Sequence, residues 1–258
     1  MQSRTTDTTR SSTTFTNIYG ISSSSAYTLT LTLNQACQRA STISVTSSAT
    51  NKTTSHTIPR GSSSLSVPLS LFASNANTLT FTSSDPTVTV TSLHITPPTG
   101  IFYPATSFTT NGTAAHIPCN AGLCAPVGAK IGYISPNGSA SLHIPSSPST
   151  TSGTKYLELT YINNEVAIGT SWTDGRNARN ITVSVNGYPA TRLEVPLSGR
   201  SSELFSPMLG WGDSATLGVL VDGFGMHDGG DVITVSNVGG ELGVDPAGAD
   251  LVGVKVLW

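Results

Sequence analysis

Two short segments in the second half of the sequence combine aromatic rings with planar polar side chains. One contains Trp172, Arg176 and Asn177, and the other contains Trp211 and Asp213. An indole ring presents an apolar face, whereas guanidinium, amide and carboxylate groups form paired hydrogen bonds with hydroxyls. Together they suit a ligand with an apolar C–H face and many hydroxyls, such as a sugar. Gly and Ser residues near both tryptophans favour loops, although a half-buried Trp can instead cover a small core.

The segments that must position these side chains have the pattern of β-strands. Polar and apolar residues alternate with a period of two, and Gly, Pro, Asn and Asp separate the runs. No stretch of about three turns shows the period of an α-helix. The pattern predicts an all-β protein built from antiparallel sandwiches. The predicted strands are residues 27–33, 41–47, 64–71, 77–82, 88–95, 139–144, 155–162, 180–186, 191–196, 215–222, 231–236 and 251–257.

The composition excludes several classes of protein. Serine and threonine make up 75 of the 258 residues, charged residues are only 10%, and the net charge is −2. An isoelectric point near 6.2 without a basic run argues against nucleic-acid binding. No apolar run approaches the roughly 20 residues of a membrane-spanning helix. Low charge with scattered Val, Ile and Leu is not typical of disorder.

The distribution of residue types predicts two tandem modules. Residues 1–100 hold 45 of the 75 Ser and Thr residues but only two acids, Asp7 and Asp85. The run Thr-Pro-Pro-Thr-Gly at 96–100 has the composition of a short, stiff linker. We expect two antiparallel jelly-roll β-sandwiches after a Ser/Thr-rich leader, with boundaries at 1–19 for the leader, 20–97 for a shortened module and 98–258 for the second module.

The two modules resemble each other in sequence. The run 27–34 matches the run 156–163, and three later strand pairs follow in the same order, namely 41–47 with 179–186, 77–81 with 231–235, and 90–95 with 250–256. The intervening segments are longer in the second module and contain the Trp, Arg and Asp residues introduced above. Long loops on a rigid sandwich are common binding sites, which favours a structural first module and a functional second one. The alternative is that any two Thr-rich β-segments align by pattern alone.

Cysteines and glycosylation sequons predict a secreted protein. Cys119 and Cys124 are close enough to form a small disulfide loop; two free thiols are the alternative, and no second Cys/His pair supports a metal site. Cys37 is expected to be a small buried residue. The N-terminus has no apolar signal segment, which indicates a truncated sequence, a gene fragment or a piece of a longer chain. Four Asn residues are candidate glycosylation sites: Asn51, Asn111, Asn137 and Asn180.

Six motifs follow one another in the second module. They are Tyr161-Ile-Asn-Asn164, Val185-Asn-Gly187, Val195-Pro-Leu-Ser-Gly199, Gly210-Trp-Gly-Asp-Ser-Ala215, Val221-Asp-Gly-Phe224 and Ala249-Asp-Leu-Val-Gly253. Their order resembles family-35 carbohydrate-binding modules, which are jelly-roll β-sandwiches. The stretch 191–205 with 215–222 is similar, more narrowly, to the C-terminal extension of fungal secreted α-galactosidases of glycoside hydrolase family 27. The resemblance covers residues 101–258, whereas residues 20–97 fit only the later strands of such a module.

The resemblance also implies which residues bind a ligand. The Asn of the family's Tyr-x-Asn motif lies at the ligand end, which corresponds here to Asn163 with Asn164 beside it. A late-loop Asn that some members use corresponds to Asn237. Turn capping is the alternative role for the first two residues. Family members hold a structural calcium, but the opening 101–105 has no carboxylates, and Asp250 alone would be a poor calcium site.

These features predict non-catalytic binding of a galactose- or mannan-type polysaccharide by a targeting region of a secreted glycoside hydrolase such as an α-galactosidase. No spacing of Asp and Glu residues singles out a catalytic pair, and an α-galactosidase barrel would need about 250 residues of alternating strand and helix. Two alternatives stay open: a Ser/Thr-rich extracellular structural or adhesive protein without a sugar site, and a hydrolase in its own right. An unpaired sheet edge in the shortened module would also be free to pair with a second copy.

Overall fold

The structure is built almost entirely from β-strands. The computed structural model describes residues 2–7, 10–73, 76–119, 124, 127–145, 152–163, 178–198, 214–237 and 248–258. These residues form nineteen strands and one short 3-10 helix, Ala105–Ser107, so the predicted all-β class is confirmed. No helix in this part of the chain has the length and apolar character needed to cross a membrane. The chain divides into two compact units: Met1–Thr99 with Ser149–Lys155 and Trp258, and Gly100–Pro148 with Tyr156–Leu257.

The first unit is a sandwich of two antiparallel sheets. Its strands are β1 (Gln2–Asp7), β2 (Arg10–Tyr19), β3 (Ser24–Leu33), β4 (Ser41–Ser47), β5 (Lys52–Ile58), β6 (Ser64–Leu71), β7 (Ala76–Ser83) and β8 (Val90–Thr96). One sheet has the strand order β1-β2-β7-β4-β5, and the other has the order β6-β3-β8. Residues from both sheets form one core.

Period-two alternation explains the core of the first unit. In β3, Leu29 and Leu31 are fully buried, whereas the Thr residues that alternate with them are exposed or half-buried. Strand β7 buries Leu79 and Phe81 in the same way. Fully burying one such side chain contributes about 1.5–3 kcal/mol. Phe15 packs edge-on against Phe81 with ring centroids 5.7 Å apart, which ties β2 into this core.

Residues 1–19, which we expected to be a leader, contain two strands of this sandwich. Strand β2 pairs with β7 from Ser11 to Tyr19, and it buries Ser11 and Thr13. A small hydroxyl fits a sheet interior when it is hydrogen-bonded, as Ser11 Oγ is to the carbonyl of Val88 at 2.6 Å. Because Ser and Thr occupy both faces of β2, no alternation of polar and apolar residues marks it in the sequence.

The second unit is also a two-sheet antiparallel sandwich. Its strands are β9 (Gly100–Pro104), β10 (Thr109–Gly112), β11 (Ala115–Pro118), β12 (Ala129–Gly132), β13 (Gly138–Ile144), β14 (Gly153–Ile162, which enters this unit at Tyr156), β15 (Ala178–Val185), β16 (Thr191–Pro196), β17 (Ala215–Phe224), β18 (Asp231–Ser236) and β19 (Asp250–Leu257). One sheet has the order β10-β13-β18-β15-β16. The other has the order β11-β12-β19-β14-β17, with β9 also paired to β19. Fully buried side chains come from both sheets, including Leu157, Leu159, Ile181, Val183 and Val254.

The two units share a seven-strand arrangement. The order β2-β7-β4-β5 in the first unit corresponds to β13-β18-β15-β16 in the second, and β6-β3-β8 corresponds to β17-β14-β19. A β-bulge interrupts the pairing of β3 with β8 between Thr32 and Leu33, and a bulge interrupts the pairing of β14 with β19 between Thr160 and Tyr161. Because bulges are specific features of a fold, their agreement supports an internal repeat over a chance pattern match. Strand β10 lies beside β13 as β1 lies beside β2, whereas β9, β11 and β12 have no counterpart among the strands described for the first unit.

The sequence alignment of β3 with β14 is nevertheless wrong by one residue. Matching 27–34 to 156–163 equates the buried Leu29 with Glu158, which is half-buried and paired with Lys255. Cross-strand pairing and the bulges instead equate Leu29 with Leu157, which is fully buried. A one-residue slip in a strand exchanges its two faces, so the sequence alignment matches core-facing residues of β3 to solvent-facing residues of β14.

Short loops close one end of the first unit. Asn34 Nδ2 donates to the carbonyl of Thr87 at 3.0 Å, and its Oδ1 accepts from the N–H of Thr89 at 2.9 Å. Cys37 is 1% exposed, and its N–H donates to the carbonyl of Ser62 at 3.1 Å. Burial raises the pKa of the Cys37 thiol, which makes it less reactive. Three loops therefore bond one another at this closed end: 34–40, 59–63 and 84–89.

Asp85 makes an acid-sensitive contact at the closed end. The Thr87 hydroxyl and N–H donate to Asp85 Oδ1 at 2.7 and 3.0 Å, and these bonds lower the pKa of the Asp85 carboxyl. Arg39 Nε lies 3.7 Å from Asp85 Oδ2. A carboxyl whose pKa is lower in the folded protein adds stability above its unfolded pKa of about 3.9. This stability is lost as the pH falls through the folded pKa.

The substitution Asp85→Asn should therefore make the first unit less sensitive to acid. Between about pH 5 and pH 2, the wild-type protein should lose up to about 1 kcal/mol more of its free energy of unfolding than the variant loses. Urea unfolding at several pH values within this window measures the difference. Asp228→Asn, which removes an exposed carboxylate from the second unit, is the control. Equal acid dependence in the wild type and Asp85→Asn would contradict this account.

Candidate functional site

One end of the second unit gathers the segments that the sequence assigns to a ligand. Strand pairing places Ile162 opposite Asp250 and Ala178 opposite Pro196. Strand β14 therefore ends where β19 begins, and β15 begins where β16 ends. Strand β18 also ends here, because it runs antiparallel to β15. We call this the loop end, because the strand ends that precede and follow three long segments lie here: 164–177, 199–213 and 238–247.

Six predicted binding residues fall in two of these segments and lie outside the described residues, namely Asn164, Trp172, Arg176, Asn177, Trp211 and Asp213. The strand ends that flank each segment are described, and all of them belong to the loop end. The corresponding connections of the first unit are the short loops of its closed end. A common site for the six residues stays a prediction, which the shared attachment of their segments favours.

Asn163 is fully buried at the end of β14. Its Nδ2 donates to the carbonyl of Val195 at 2.9 Å, and its N–H donates to Ser198 Oγ at 2.9 Å. Its carbonyl accepts from the N–H of Ser198 at 2.7 Å. These bonds join the ends of β14 and β16, as a capping Asn would. Its Oδ1 is buried with no hydrogen-bond partner in the part of the chain that the structure describes, so a ligand-binding role stays a prediction.

Asn237 is 2% exposed and lies where the chain packs tightly around Gly248. The N–H of Gly248 donates to the carbonyl of Ile134 at 2.6 Å, and its carbonyl accepts from Arg179 Nη1 at 3.4 Å. A Cβ on Gly248 would lie 2.6 Å from the carbonyl oxygen of Ile134 and 3.4 Å from Asn237 Cβ. Only glycine fits there, so the chain after β12, the end of β18 and the start of β19 are held close together. The predicted sugar contact of Asn237 is not tested by this packing.

The carboxylate of Asp250 is already paired with a cation. Its Oδ2 lies 2.5 Å from Lys130 Nζ, and the two side chains are 18% and 6% exposed. Across the described ranges, no group of three or more His, Cys, Asp or Glu side chains could hold a metal ion. Since an ammonium supplies the positive charge beside Asp250, this carboxylate is a poor candidate for the calcium ligand that the resemblance implied.

Cys119 and Cys124 form the predicted disulfide. Cys124 is fully buried and packs against Ile162 and Val252, with Cys119 and Val127 beside them. Ile162 is the last residue of β14 and directly precedes Asn163. The cross-link therefore supports the strand end that carries Asn163.

Sequence reasoning missed one exposed aromatic residue at the loop end. Tyr133 follows β12 and is 63% exposed. Its φ of 57° lies in the left-handed region, which is unusual for a bulky residue. Strand β12 pairs with β19 through Ile131 and Leu251, so it ends beside the start of β19. The sequence around Tyr133, between Gly132 and Ile134, shows no pattern that predicts an exposed side chain or a left-handed backbone conformation.

Comparisons with known proteins identify relatives of the chain. No protein-family model matches it. The chain is 44% identical over 245 residues to the probable alpha-galactosidase D of Aspergillus niger, covering 95% of this chain and 36% of the relative. It is 43% identical over 250 residues to the alpha-galactosidase D of Emericella nidulans, covering 96% and 37%. The chain is homologous to the C-terminal region of fungal alpha-galactosidase D.

This homology confirms the predicted relation to fungal α-galactosidases, and it concerns part of those proteins. The chain spans about a third of the length of the alpha-galactosidase D proteins that it matches, since it covers 36% of the Aspergillus niger protein. Among solved structures, the chain is similar to a family 35 carbohydrate binding module from Clostridium thermocellum. That similarity has a TM-score of 0.45, 18% identity, and coverage of 61% of this chain and 98% of the module. An exo-beta-1,3-galactanase from Phanerochaete chrysosporium is similar with a TM-score of 0.43, 23% identity, and coverage of 66% and 30%.

The four glycosylation sequons lie at different depths. Asn51, Asn111 and Asn137 are exposed, whereas Asn180 in β15 is half-buried. Exposure of the first three is compatible with an attached glycan, and modification of all four stays a prediction.

Proposed function

We propose that the second unit is a non-catalytic carbohydrate-binding module that serves an α-galactosidase in a secreted protein. The ligand class is a galactose- or mannan-type polysaccharide. The observation that carries the proposal is the loop end, where segments bearing two tryptophans, an arginine and an aspartate are attached to one end of a rigid sandwich. Aromatic faces and planar hydrogen-bonding groups are the chemistry that sugars require.

The frame of the second unit supports such a site. Residues of the facing sheets, such as Leu159 and Val183, are completely buried, so the strand ends have a fixed spacing. Binding residues on loops gain precision from a rigid scaffold of this kind. Affinity should be modest, because a polar ligand offers little apolar surface to bury.

The proposed mechanism is tethering. A weak site that holds one part of a polysaccharide raises the local concentration of neighbouring bonds for an attached hydrolase. This role needs no catalytic group within the chain. A non-catalytic role agrees with the finding that the chain is homologous to only a part of alpha-galactosidase D.

Secretion is supported by the disulfide. A cross-link between Cys119 and Cys124 persists in oxidising compartments and is rare in reducing ones. The three exposed glycosylation sequons also support secretion.

A second candidate function is a structural or adhesive protein without a sugar site. Hydroxyl pairs on an exposed sheet face of the first unit favour it: Thr46 and Thr53 lie 2.8 Å apart, and Ser44 and Ser55 lie 3.1 Å apart. Such ladders stabilise a strand pair without creating a pocket. Self-association through the edge strand β8, which pairs only with β3 among the strands of the described part, is a further proposal.

The test of the carbohydrate proposal is a titration of tryptophan fluorescence. Galactose, galactomannan, mannan and glucuronic acid would each be added to the full chain, with and without calcium. We expect a saturable shift with at least one galactose- or mannan-containing ligand. Trp211→Ala should weaken that binding at least about tenfold, because it removes a ring face.

Trp258→Phe is the matched control for this titration. Trp258 is 4% exposed, so the variant removes one indole and should leave the midpoint unchanged. If no sugar shifts the fluorescence of the folded wild type, the carbohydrate proposal fails and the structural or adhesive function leads. Release of reducing sugar from the same polysaccharides would instead show a hydrolase.

A further inference from the structure

Tyr133 combines exposure with an unfavourable backbone conformation. Its side chain is 63% exposed, so burial of the ring does not explain its position. Its φ of 57° is disfavoured for aromatic residues, and such conformations persist where the surrounding structure imposes them. Two other tyrosines are notably exposed, but Tyr19 belongs to the first unit and Tyr188 lies in the turn after β15, at the opposite end of the second unit.

Hydrogen bonds to the carbonyl of Tyr133 and to that of the next residue hold Tyr133 in this conformation. Its carbonyl accepts from the N–H of Ser135 at 2.9 Å and from Thr113 Oγ1 at 3.0 Å. Thr113 Oγ1 and Ser135 Oγ lie 2.7 Å apart. The next residue, Ile134, is fully buried, and its carbonyl accepts the N–H of Gly248. The exposed ring is therefore attached to a rigid backbone, which lowers the entropy that is lost when a ligand binds to it.

The position of Tyr133 relative to the predicted ligand residues is set by the sheet. Strands β12 and β14 flank β19 on its two sides, so Tyr133 and Asn163 follow strands that are two places apart. At the usual spacing of neighbouring strands, this separation is about 10 Å. Asn237 and Gly248 lie at the ends of the central strands β18 and β19. The loop end is thus wider than one sugar ring.

We propose that Tyr133 is a stacking residue for a second sugar ring, so that the loop end binds an oligosaccharide segment of the polysaccharide instead of a single sugar. This inference rests on the proposed carbohydrate function and extends it. An aromatic face held at one side of the site stacks on the apolar face of one ring, while the polar groups near Asn163 serve a neighbouring ring. The backbone strain is tolerated because it directs the ring outward at the loop end.

The variant Tyr133→Gly separates binding from folding. Glycine adopts a φ of 57° without strain, so thermal stability should be equal to or higher than that of the wild type. Affinity for galactomannan should fall about tenfold, whereas affinity for free galactose should change less than twofold. Tyr133→Phe should keep the wild-type affinity, because it retains the ring. Tyr188→Ala, at the opposite end, is the control and should bind as the wild type does.

Four outcomes of fluorescence titration with these variants decide the question. The selective loss for galactomannan in Tyr133→Gly, with Tyr133→Phe unaffected, supports the proposal. Unchanged galactomannan affinity in a folded Tyr133→Gly, when the wild type binds, overturns it and leaves the proposed function standing. Equal losses for galactose and galactomannan also overturn it, because they place Tyr133 in a single-sugar site. No binding by the wild type overturns both the inference and the proposed function.

Discussion

Replacing Lys130 with Met should lower the free energy of unfolding of the second unit by about 3–5 kcal/mol. The Lys130 side chain is 6% exposed and its Nζ lies 2.5 Å from Asp250 Oδ2. Removing the ammonium leaves a carboxylate that is only 18% exposed without its counter-charge, and water reaches only part of it. Met preserves the length of the side chain, so the effect reports on charge more than on packing. Urea unfolding followed by circular dichroism measures it.

A second ion pair provides the control, because it also includes a residue of β19. Lys255 Nζ lies 3.0 Å from Glu158 Oε2, and the two side chains are 38% and 31% exposed. Because solvent screens this pair, Lys255→Met should cost less than about 1 kcal/mol. Combining Lys130→Met with Asp250→Leu should recover most of the lost stability, since no unpaired charge is left. Equal effects of Lys130→Met and Lys255→Met would contradict the account.

Reducing the Cys119–Cys124 disulfide should destabilise the second unit by about 2 kcal/mol. Closing so short a loop restricts the unfolded chain by roughly this amount in the chain-entropy model. Cys124 is fully buried against Ile162 and Val252, so the loop it anchors should loosen from β14 and β19 as well. Urea unfolding with and without a phosphine reductant measures the loss. If Asn163 belongs to the sugar site, the reductant should also weaken galactomannan binding.

This measurement should be made on the Cys37→Ala variant, which lacks the free buried thiol of the first unit. In that background, only the disulfide can respond to the reductant. A Cys119→Ala, Cys124→Ala double variant should unfold identically with and without the reductant. An unchanged unfolding midpoint, with two new thiols detected by thiol titration, would show that the cross-link contributes little.

The fold could be predicted wherever polar and apolar residues alternate. The predicted bounds 41–47, 64–71, 191–196 and 231–236 agree with strands β4, β6, β16 and β18. Strand β5 was missed because its residues are mostly exposed and polar, as befits an edge strand, so no face differs from the other. Strands β10, β11 and β12 were missed because four residues are too few to show a period.

The candidate site was predictable in part. The long insertions in the second module pointed to the loop end, and strand pairing places their attachments together. The contacts of Asn163 could not be read from the sequence, because its partners Val195 and Ser198 lie at and just beyond the end of β16, more than 30 positions along the chain. The pairing of Lys130 with Asp250 was likewise hidden, since the two residues lie 120 positions apart in the chain. Tyr133 was missed because nothing local marks a left-handed backbone conformation at a tyrosine.

The shared bulge has a consequence for engineering. Because Leu33 and Tyr161 follow equivalent bulges, each position of β3 has a defined counterpart in β14. The loops 34–40, 59–63 and 84–89 thus mark three points on the first unit where the segments 164–177, 199–213 and 238–247 could be grafted in register. Under the proposed carbohydrate function, a chimera of this kind would carry two binding sites in one chain, and its avidity for a long polymer would exceed the affinity of either site by roughly two orders of magnitude or more.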